Sequence, residues 1–472
     1  MTISAVPSTA TVDRPAPTST PIDRARKRRR TTALALLVSA QFVVMLDTSI
    51  VNVALPSIQA DLGLGAGALS WVVNAYVLTF GGLLLLLGRI ADLVGRRRMF
   101  AAGSAVFCAG TLLAAGAGAE WALVAGRVIQ GAGAAALSPA AMSLLILHFP
   151  GQGRARAMSL WGAASTVGGA TGVLAGGLLA GSLGWSSVFL VTVPASVAAV
   201  VIARRVLEES PRGTQRRFDV GGAVTITAAV VLLVHAAVTA ASAGWSVTPV
   251  LGLAGAGALA TAFIAIEKRA EDPLVPLRLF HSPVLSTGVG LAMLGGAVRA
   301  STFVLVALYL QQALAMTPQR AGLAMVPTSL TGFVVSLALL PRVLRTLGPR
   351  KSLVIGLVVL AGGHLWLASA PGDGYAVAVL PGLFLVATGV ALSFTPTTMV
   401  ITSAAPDSLT GLASGLASSA TQVGAALGTA TFTAIALSTN APGAGFAAAF
   451  TTAAVVALAT ALLGCTIATR KR

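Results

Sequence analysis

The sequence predicts an all-α polytopic membrane protein with fourteen transmembrane helices, and three observations carry that expectation. Hydrophobic residues make up 56% of the 472 positions and charged residues only 10%, with a mean hydropathy of +0.88; a soluble domain carries about 25% charged residues. Apolar runs of about 20 residues, the length that crosses a bilayer, recur along the whole chain. The basic residues are sorted as well. Of the 31 Lys and Arg, Arg127 and Arg299 fall within apolar runs and Arg320 in an outer loop, while all the others lie in the tails, in alternate loops or at adjoining helix ends. The net charge of +17 is therefore explained by orientation in a membrane, and no nucleic-acid partner is expected.

Residues 1–31 form a Pro/Thr/Ser-rich tail that ends in the basic run Arg24–Arg30, and they are expected to be a disordered cytoplasmic arm. A basic run ahead of an apolar stretch also fits a signal peptide. However, this stretch continues to Leu55 and carries Asp47 and Asn52, unlike a cleaved apolar core, so it reads as the first span. Spans follow near 32–55, 69–90, 98–117, 121–147, 155–181, 186–204, 219–240, 249–267, 285–313, 321–343, 352–370, 375–402, 409–437 and 445–468. An even number of crossings puts both termini on one side, and the Lys/Arg bias makes that side the cytoplasm. Trp71, Trp121, Trp185 and Trp245 then fall near the outer interface, where amphipathic rings belong. Cys108 and Cys465 lie within spans and read as buried small residues, with no disulfide or metal site implied.

The chain repeats internally. Gly168 and Gly172 in span five are matched by Gly424 and Gly428 in span thirteen, and Ala157-Met-Ser-Leu160 is matched at the same offset by Ala413-Ser-Gly-Leu416. The expected division is a 32–204 N-terminal six-helix bundle, a 205–218 cytoplasmic linker, and two extra transmembrane helices at 219–267. A second cytoplasmic linker at 268–284, a 285–468 C-terminal six-helix bundle and a 469–472 tail complete it. Parallel repeats of this kind place a substrate site between the halves, near the bilayer midplane.

Four stretches carry candidate chemistry. Between spans two and three the chain reads Gly88-Arg-Ile-Ala-Asp92-Leu-Val-Gly95-Arg96-Arg97-Arg98, a short turn whose arginines suit an anionic cytoplasmic surface. Asp92 and Arg96, four apart, can pair if the helix continues through the turn. A weaker echo lies at Pro341–Lys351, where Gly348 matches Gly95 and Arg345 replaces Asp92. In the first span, Leu46-Asp47-Thr-Ser-Ile-Val-Asn52-Val-Ala-Leu-Pro56 holds an acid well inside the apolar run. An intramembrane carboxylate is expensive, so Asp47 is either a proton or substrate site or a carboxylate locked to a neighbouring helix. Span four carries Arg127, and Gln130 shares its helix face. Span five presents Gly168, Gly172 and Gly176 along one face, a helix-packing device.

These stretches resemble known signatures. The turn is similar to the signature between spans two and three of the major facilitator superfamily, and the first-span segment resembles that of its fourteen-span drug:proton antiporters, which are multidrug and antibiotic exporters. Arg127-Val-Ile-Gln130-Gly131 looks like the family's fourth-span motif. Span five resembles G-x-x-x-G-P-x-x-G-G, with Val173 where the family usually has proline. The resemblance implies two six-helix bundles of the major facilitator fold plus a central two-helix insert, working by alternating access. It further implies export of a small amphipathic drug, antibiotic or other toxic compound by antiport with H+. Asp47 and Arg127 would serve proton coupling. Gly88, Asp92, Gly95, Arg96 and Arg97 would form a conformational gate, with Asp92 facing the N-terminus of span thirteen near Asp407–Gly411. Asn52, Gln130 and Arg299 are cavity or substrate candidates. No cofactor is implied, the energy source being the proton gradient, and the expected form is a monomer in the bacterial cytoplasmic (inner) membrane. A proton-coupled uptake symporter of the same fold, or a membrane enzyme or accessory subunit without transport activity, are the alternatives.

Other chemistry finds no support. The sequence has no G-x-x-x-x-G-K-[ST] for direct ATP drive, no H-E-x-x-H and no Cys/His cluster, and no strand precedes Gly131 to make a dinucleotide fingerprint. His235 and His364 read as core histidines. Arg299, in the middle of span nine, either pairs with a carbonyl or a helix C-terminus, or faces the cavity. In the second case Asp47, Arg127 and Arg299 leave one excess positive charge, which favours neutral, zwitterionic or anionic amphipaths over dications.

Overall fold

A computed structural model describes residues 21–150, 152–209, 219–244, 246–271, 273–316, 318–369, 374–405, 410–438 and 442–466. The first half consists of α1 (Pro21–Leu62), α2 (Ala66–Val94), α3 (Arg96–Ala115), α4 (Glu120–His148), α5 (Gln152–Leu183), α6 (Ser186–Leu190) and α7 (Val193–Val206). Two helices follow, α8 (Val220–Ala243) and α9 (Val247–Glu267). The second half runs through α10 (Pro283–Leu308), α11 (Pro318–Ala324), α12 (Val326–Val334), α13 (Leu340–Thr346), α14 (Gly348–Ser369), α15 (Leu380–Ser403), α16 (Thr410–Ala436) and α17 (Pro442–Cys465). Wider, π-type turns at Tyr309–Ala313, Val335–Leu339 and Tyr375–Val379 continue α10, join α12 to α13, and open α15. Among the described residues, 12 helices are long and apolar enough to cross a membrane. In addition, α5 with 32 residues and α16 with 27 reach about 48 and 40 Å at 1.5 Å per residue.

Close helix packing through small residues shapes both halves. In the first, α3 and α4 meet where a Cβ on Gly110 would lie 2.5 Å from the backbone nitrogen of Gln130 and one on Gly126 would lie 2.7 Å from that of Ala114. Gly103 and Gly133 are similarly filled by Leu137 and Phe107. In the second half α14 and α15 meet the same way. Gly356 and Gly363 stand at the repeat positions of Gly103 and Gly110, and Gly382 and Gly389 at those of Gly126 and Gly133. α4 and α15 also each carry an internal proline within one residue of the matching place, Pro139 and Pro396. Without a hydrophobic drive between helices in lipid, van der Waals contact of this kind holds them together. The repeat is thus deeper than the span five and thirteen match alone.

The α8–α9 pair sits beside the seam between halves. Leu78 of α2, Val230 and Val234 of α8, and Val423 of α16 pack in one cluster. Leu85, Ala223, Phe263, Leu412 and Leu416 form another, joined by Leu274 and Val275 of the following segment. Buried Glu267 fixes that segment by accepting hydrogen bonds from the backbone N–H groups of Leu274 and Val275, each 3.2 Å.

Two expectations need correction. The basic tail is not disordered up to residue 31: α1 begins at Pro21, because the Ala/Arg/Lys run is a good helix former and finds partners on the bundle. Arg29 lies 3.2 Å from Glu208, and Arg30 donates to the carbonyl of His148 at 3.2 Å. Cys465 ends α17 exposed, and Cys108 is half-buried. Trp185, in the turn between α5 and α6, packs into the bundle, and its indole N–H donates to Asp61 at 2.7 Å. Trp245 lies outside the described residues.

Candidate functional site

The first-half centre gathers residues from α1, α2, α3 and α4 around one ion pair. Arg127 Nη1 lies 2.7 Å from Asp47 Oδ2, with both side chains buried. The same nitrogen donates to Gln130 Oε1 at 2.9 Å, and Nε donates to the carbonyl of Val72 at 3.0 Å. Gln130 Nε2 donates to Asp47 Oδ1 at 3.1 Å and to Thr111 Oγ1 at 2.9 Å. The guanidinium carbon sits 4.3 Å from the ring centre of Tyr76, a cation–π contact that further stabilises a desolvated charge. Each carboxylate oxygen therefore has a donor, and the guanidinium has a carboxylate, an amide oxygen, a carbonyl and a ring. Removing one member of such a buried pair leaves an uncompensated charge and costs about 3–5 kcal/mol. Chemically, the arrangement can exchange a carboxylate–guanidinium pair for a protonated acid beside a free guanidinium. Tyr76, Thr111 and the Val72 carbonyl were not singled out in the sequence, since neutral polar residues are ordinary in apolar helices.

Helix approach creates this centre. α1 and α5 pack through Gly168, Gly172 and Gly176, where added Cβ atoms would lie 2.6, 2.7 and 2.9 Å from the carbonyl oxygens of Phe42, Leu46 and Ile50. This ladder brackets Asp47. α5 runs as one helix from Gln152 to Leu183. Asn52 is exposed and its amide donates to the carbonyl of Thr48, 3.1 Å away on its own helix.

A second cluster lies at the α2–α3 turn. Asp92 Oδ1 accepts from Arg96 Nε at 3.0 Å and from Nη2 at 2.9 Å, with both side chains buried. Asp92 Oδ2 accepts from the backbone N–H of Leu412, in the first turn of α16, at 2.7 Å. A helix N-terminus offers unsatisfied N–H groups and a favourable dipole to an anion. Gly88 lies against Gly415 of α16 (3.6 Å from a Cβ built there), while Ser143 of α4 and Ser414 of α16 approach to 3.4 Å. The two halves are thus tied together at the turn end. Asp407 lies outside the described residues.

Glu209, after α7, joins this turn although the sequence did not single it out. It accepts from the backbone N–H of Arg97 at 3.1 Å, and lies 3.4 Å from Arg97 Nε and 3.6 Å from Arg98 Nε. It fills the space in front of Gly95, whose φ of +109° admits few other residues. Gly348, at the matching turn of the second half, also has positive φ, +77°, whereas Arg345 is exposed.

His364 is a core residue, whereas His235 is only half-buried, against the exposed Trp71. His364 Nδ1 lies 2.9 Å from the Leu360 carbonyl and Nε2 2.8 Å from Thr302 Oγ1, and His235 stacks on Trp71 at 5.9 Å. Among the described residues no His/Cys/Asp/Glu group is placed to hold a metal ion. Arg299 is buried at 4% exposure, 5.9 Å from the ring centre of Phe394, and among the described residues none of its three guanidinium nitrogens has a hydrogen-bond partner. Among the described residues it therefore has no carbonyl partner, one of the placements the sequence left open for it.

Comparison with known proteins agrees with this architecture. The Major Facilitator Superfamily model matches residues 37–429 and 285–471. The chain is 39% identical to a cephamycin export protein of Amycolatopsis lactamdurans, over 85% of this chain and 84% of that one. It is 36% identical to a puromycin resistance protein of Streptomyces alboniger, over 85% and 81%. Among solved structures, the human organic anion transporter MFSD10 superposes with a TM-score of 0.67 at 16% identity, covering 91% of this chain and 99% of that one, which shows the shared fold. With two repeated halves, a buried Asp–Arg pair and a turn that ties them, the chain belongs to the major facilitator superfamily and is a membrane transporter rather than an enzyme.

Proposed function

We propose that this protein exports a small amphipathic drug, antibiotic or other toxic compound across the bacterial cytoplasmic membrane in exchange for protons. The observation that carries the reading is the buried Asp47–Arg127 pair with Gln130 bridging it. Relatives named for cephamycin export and puromycin resistance support the substrate class. Both termini lie in the cytoplasm, α5 and α16 complete fourteen crossings, and the monomer is the working unit.

Protonation of Asp47 removes the charge that holds Arg127, so the pair breaks and the elements it joins are free to shift. Deprotonation on the other side restores it. Substrate and proton alternate because each favours a different arrangement of the halves, and the Asp92–Leu412 bond closes the cytoplasmic end in one of them.

Inverted membrane vesicles with an acidified lumen test this, with puromycin as the probe. Addition of puromycin is expected to drive protons out of the lumen while the drug enters. Asp47→Asn is expected to abolish that proton movement. Drug and protons moving in the same direction, or unchanged coupling in Asp47→Asn, would overturn the reading.

A further inference from the structure

We propose that Arg299 is a recognition site for the carboxylate or other single anionic group of an aromatic amphipath, with Phe394 as the ring against which that substrate lies. The inference rests on the transport reading above but concerns binding alone.

The repeat defines what is unusual here. Gly168 and Gly172 of α5 receive Phe42 and Leu46 of α1, and their counterparts Gly424 and Gly428 of α16 receive Met293 and Ala297 of α10. In that register Arg299 corresponds to Thr48, the residue after Asp47. The charges of the two halves therefore stand one position apart on equivalent helices, with opposite sign. In the first half Asp47 is met by Arg127 of α4. The glycine matches of α4 and α15 pair Arg127 with Leu383, which is buried and apolar. The second half thus keeps a charge and lacks the partner that its own symmetry would supply.

A buried guanidinium stays charged and carries five donors in a planar fork. Left without an anion it is strongly disfavoured, and a carboxylate is its best geometric complement. The surroundings are shaped for it. A Cβ on Gly295 would lie 2.5 Å from Arg299 Nη1, so this glycine leaves the room into which the guanidinium folds. Phe394 is only half-buried, and its neighbour Thr395 faces Gly162 of the other half, 2.6 Å from a Cβ built there. Arg299 therefore stands one ring away from the seam that parts when the halves rock.

Equilibrium binding of dansyl-phenylalanine, a monoanion, and of its neutral methyl ester to purified protein without any gradient tests the proposal. The acid is expected to bind at least about tenfold more tightly than the ester, the effect of roughly 1.4 kcal/mol. Arg299→Gln is expected to remove that preference and keep ester binding, Arg299→Lys to keep part of it, and Gly295→Ala to reduce it by displacing the guanidinium. Phe394→Ala is expected to weaken acid and ester alike. Equal affinities in the wild type, or a preference unchanged in Arg299→Gln, overturn the proposal whether or not the vesicles show proton-coupled export.

Discussion

The carboxylate of Asp92 accepts a 2.7 Å hydrogen bond from the backbone N–H of Leu412, and this single bond joins the second helix of the first half to the penultimate helix of the chain. Its other oxygen is held by Arg96, so the acid is fixed from its own turn before it reaches across. The contact between the halves is therefore a helix end clamped by a preset carboxylate. That makes its strength accessible to mutation.

A hydrogen bond to a charged group contributes about 1.5–3 kcal/mol. Asp92→Ala should shift the closed population by roughly 10- to 100-fold. With Cys108 and Cys465 replaced by alanine, a Ser143→Cys/Ser414→Cys pair reports closure, because these side chains approach to 3.4 Å. Rapid cross-linking is expected with Asp92 present and at least tenfold slower cross-linking with Asp92→Ala. Equal rates would mean that the bond does not hold the halves.

The α1–α5 contact makes a sharper demand. A Cβ at Gly172 would lie 2.7 Å from the Leu46 carbonyl oxygen and 2.8 Å from the Ser49 Cβ, while one at Gly177 meets only Val53 at 3.9 Å. Gly172→Val should destabilise the protein by about 1–3 kcal/mol or more through overpacking, and Gly177→Val by much less. Thermal unfolding in detergent measures both. Matching melting temperatures would show that the two helices are not held at this distance.

Topology follows from the sorting of charge. A reporter active only in the cytoplasm should work when fused after Ser210 and fail after Gly244, since the basic loops stay inside. The reverse pattern would invert the orientation and, with it, the side on which Asp92 acts.

Much of this protein is legible residue by residue. The bilayer imposes a length on each crossing and requires every backbone group to be satisfied within its helix. Apolar runs therefore locate the spans, and the basic loops suggest their direction, without any knowledge of packing. Asp47, Arg127 and Arg299 stand out because a charge inside such a run is rare. Gly88, Asp92 and Gly95 stand out because a glycine–acid–glycine turn has few other uses. Apart from the contacts of Asp92, the sequence could not say who meets whom. These helices are apolar nearly all round, so periodicity marks no inward face. Their rotations are set instead by small residues meeting across long separations, as Gly110 meets Gln130 and Gly363 meets Val386. Only those rotations bring Arg127 to Asp47 and the Val72 carbonyl, set Glu209 in front of Gly95, and lay α8 along the seam. They also leave Arg299 facing Phe394 with no hydrogen-bond partner among the described residues, because a helix's neighbours, unlike its length, are decided by the whole bundle at once.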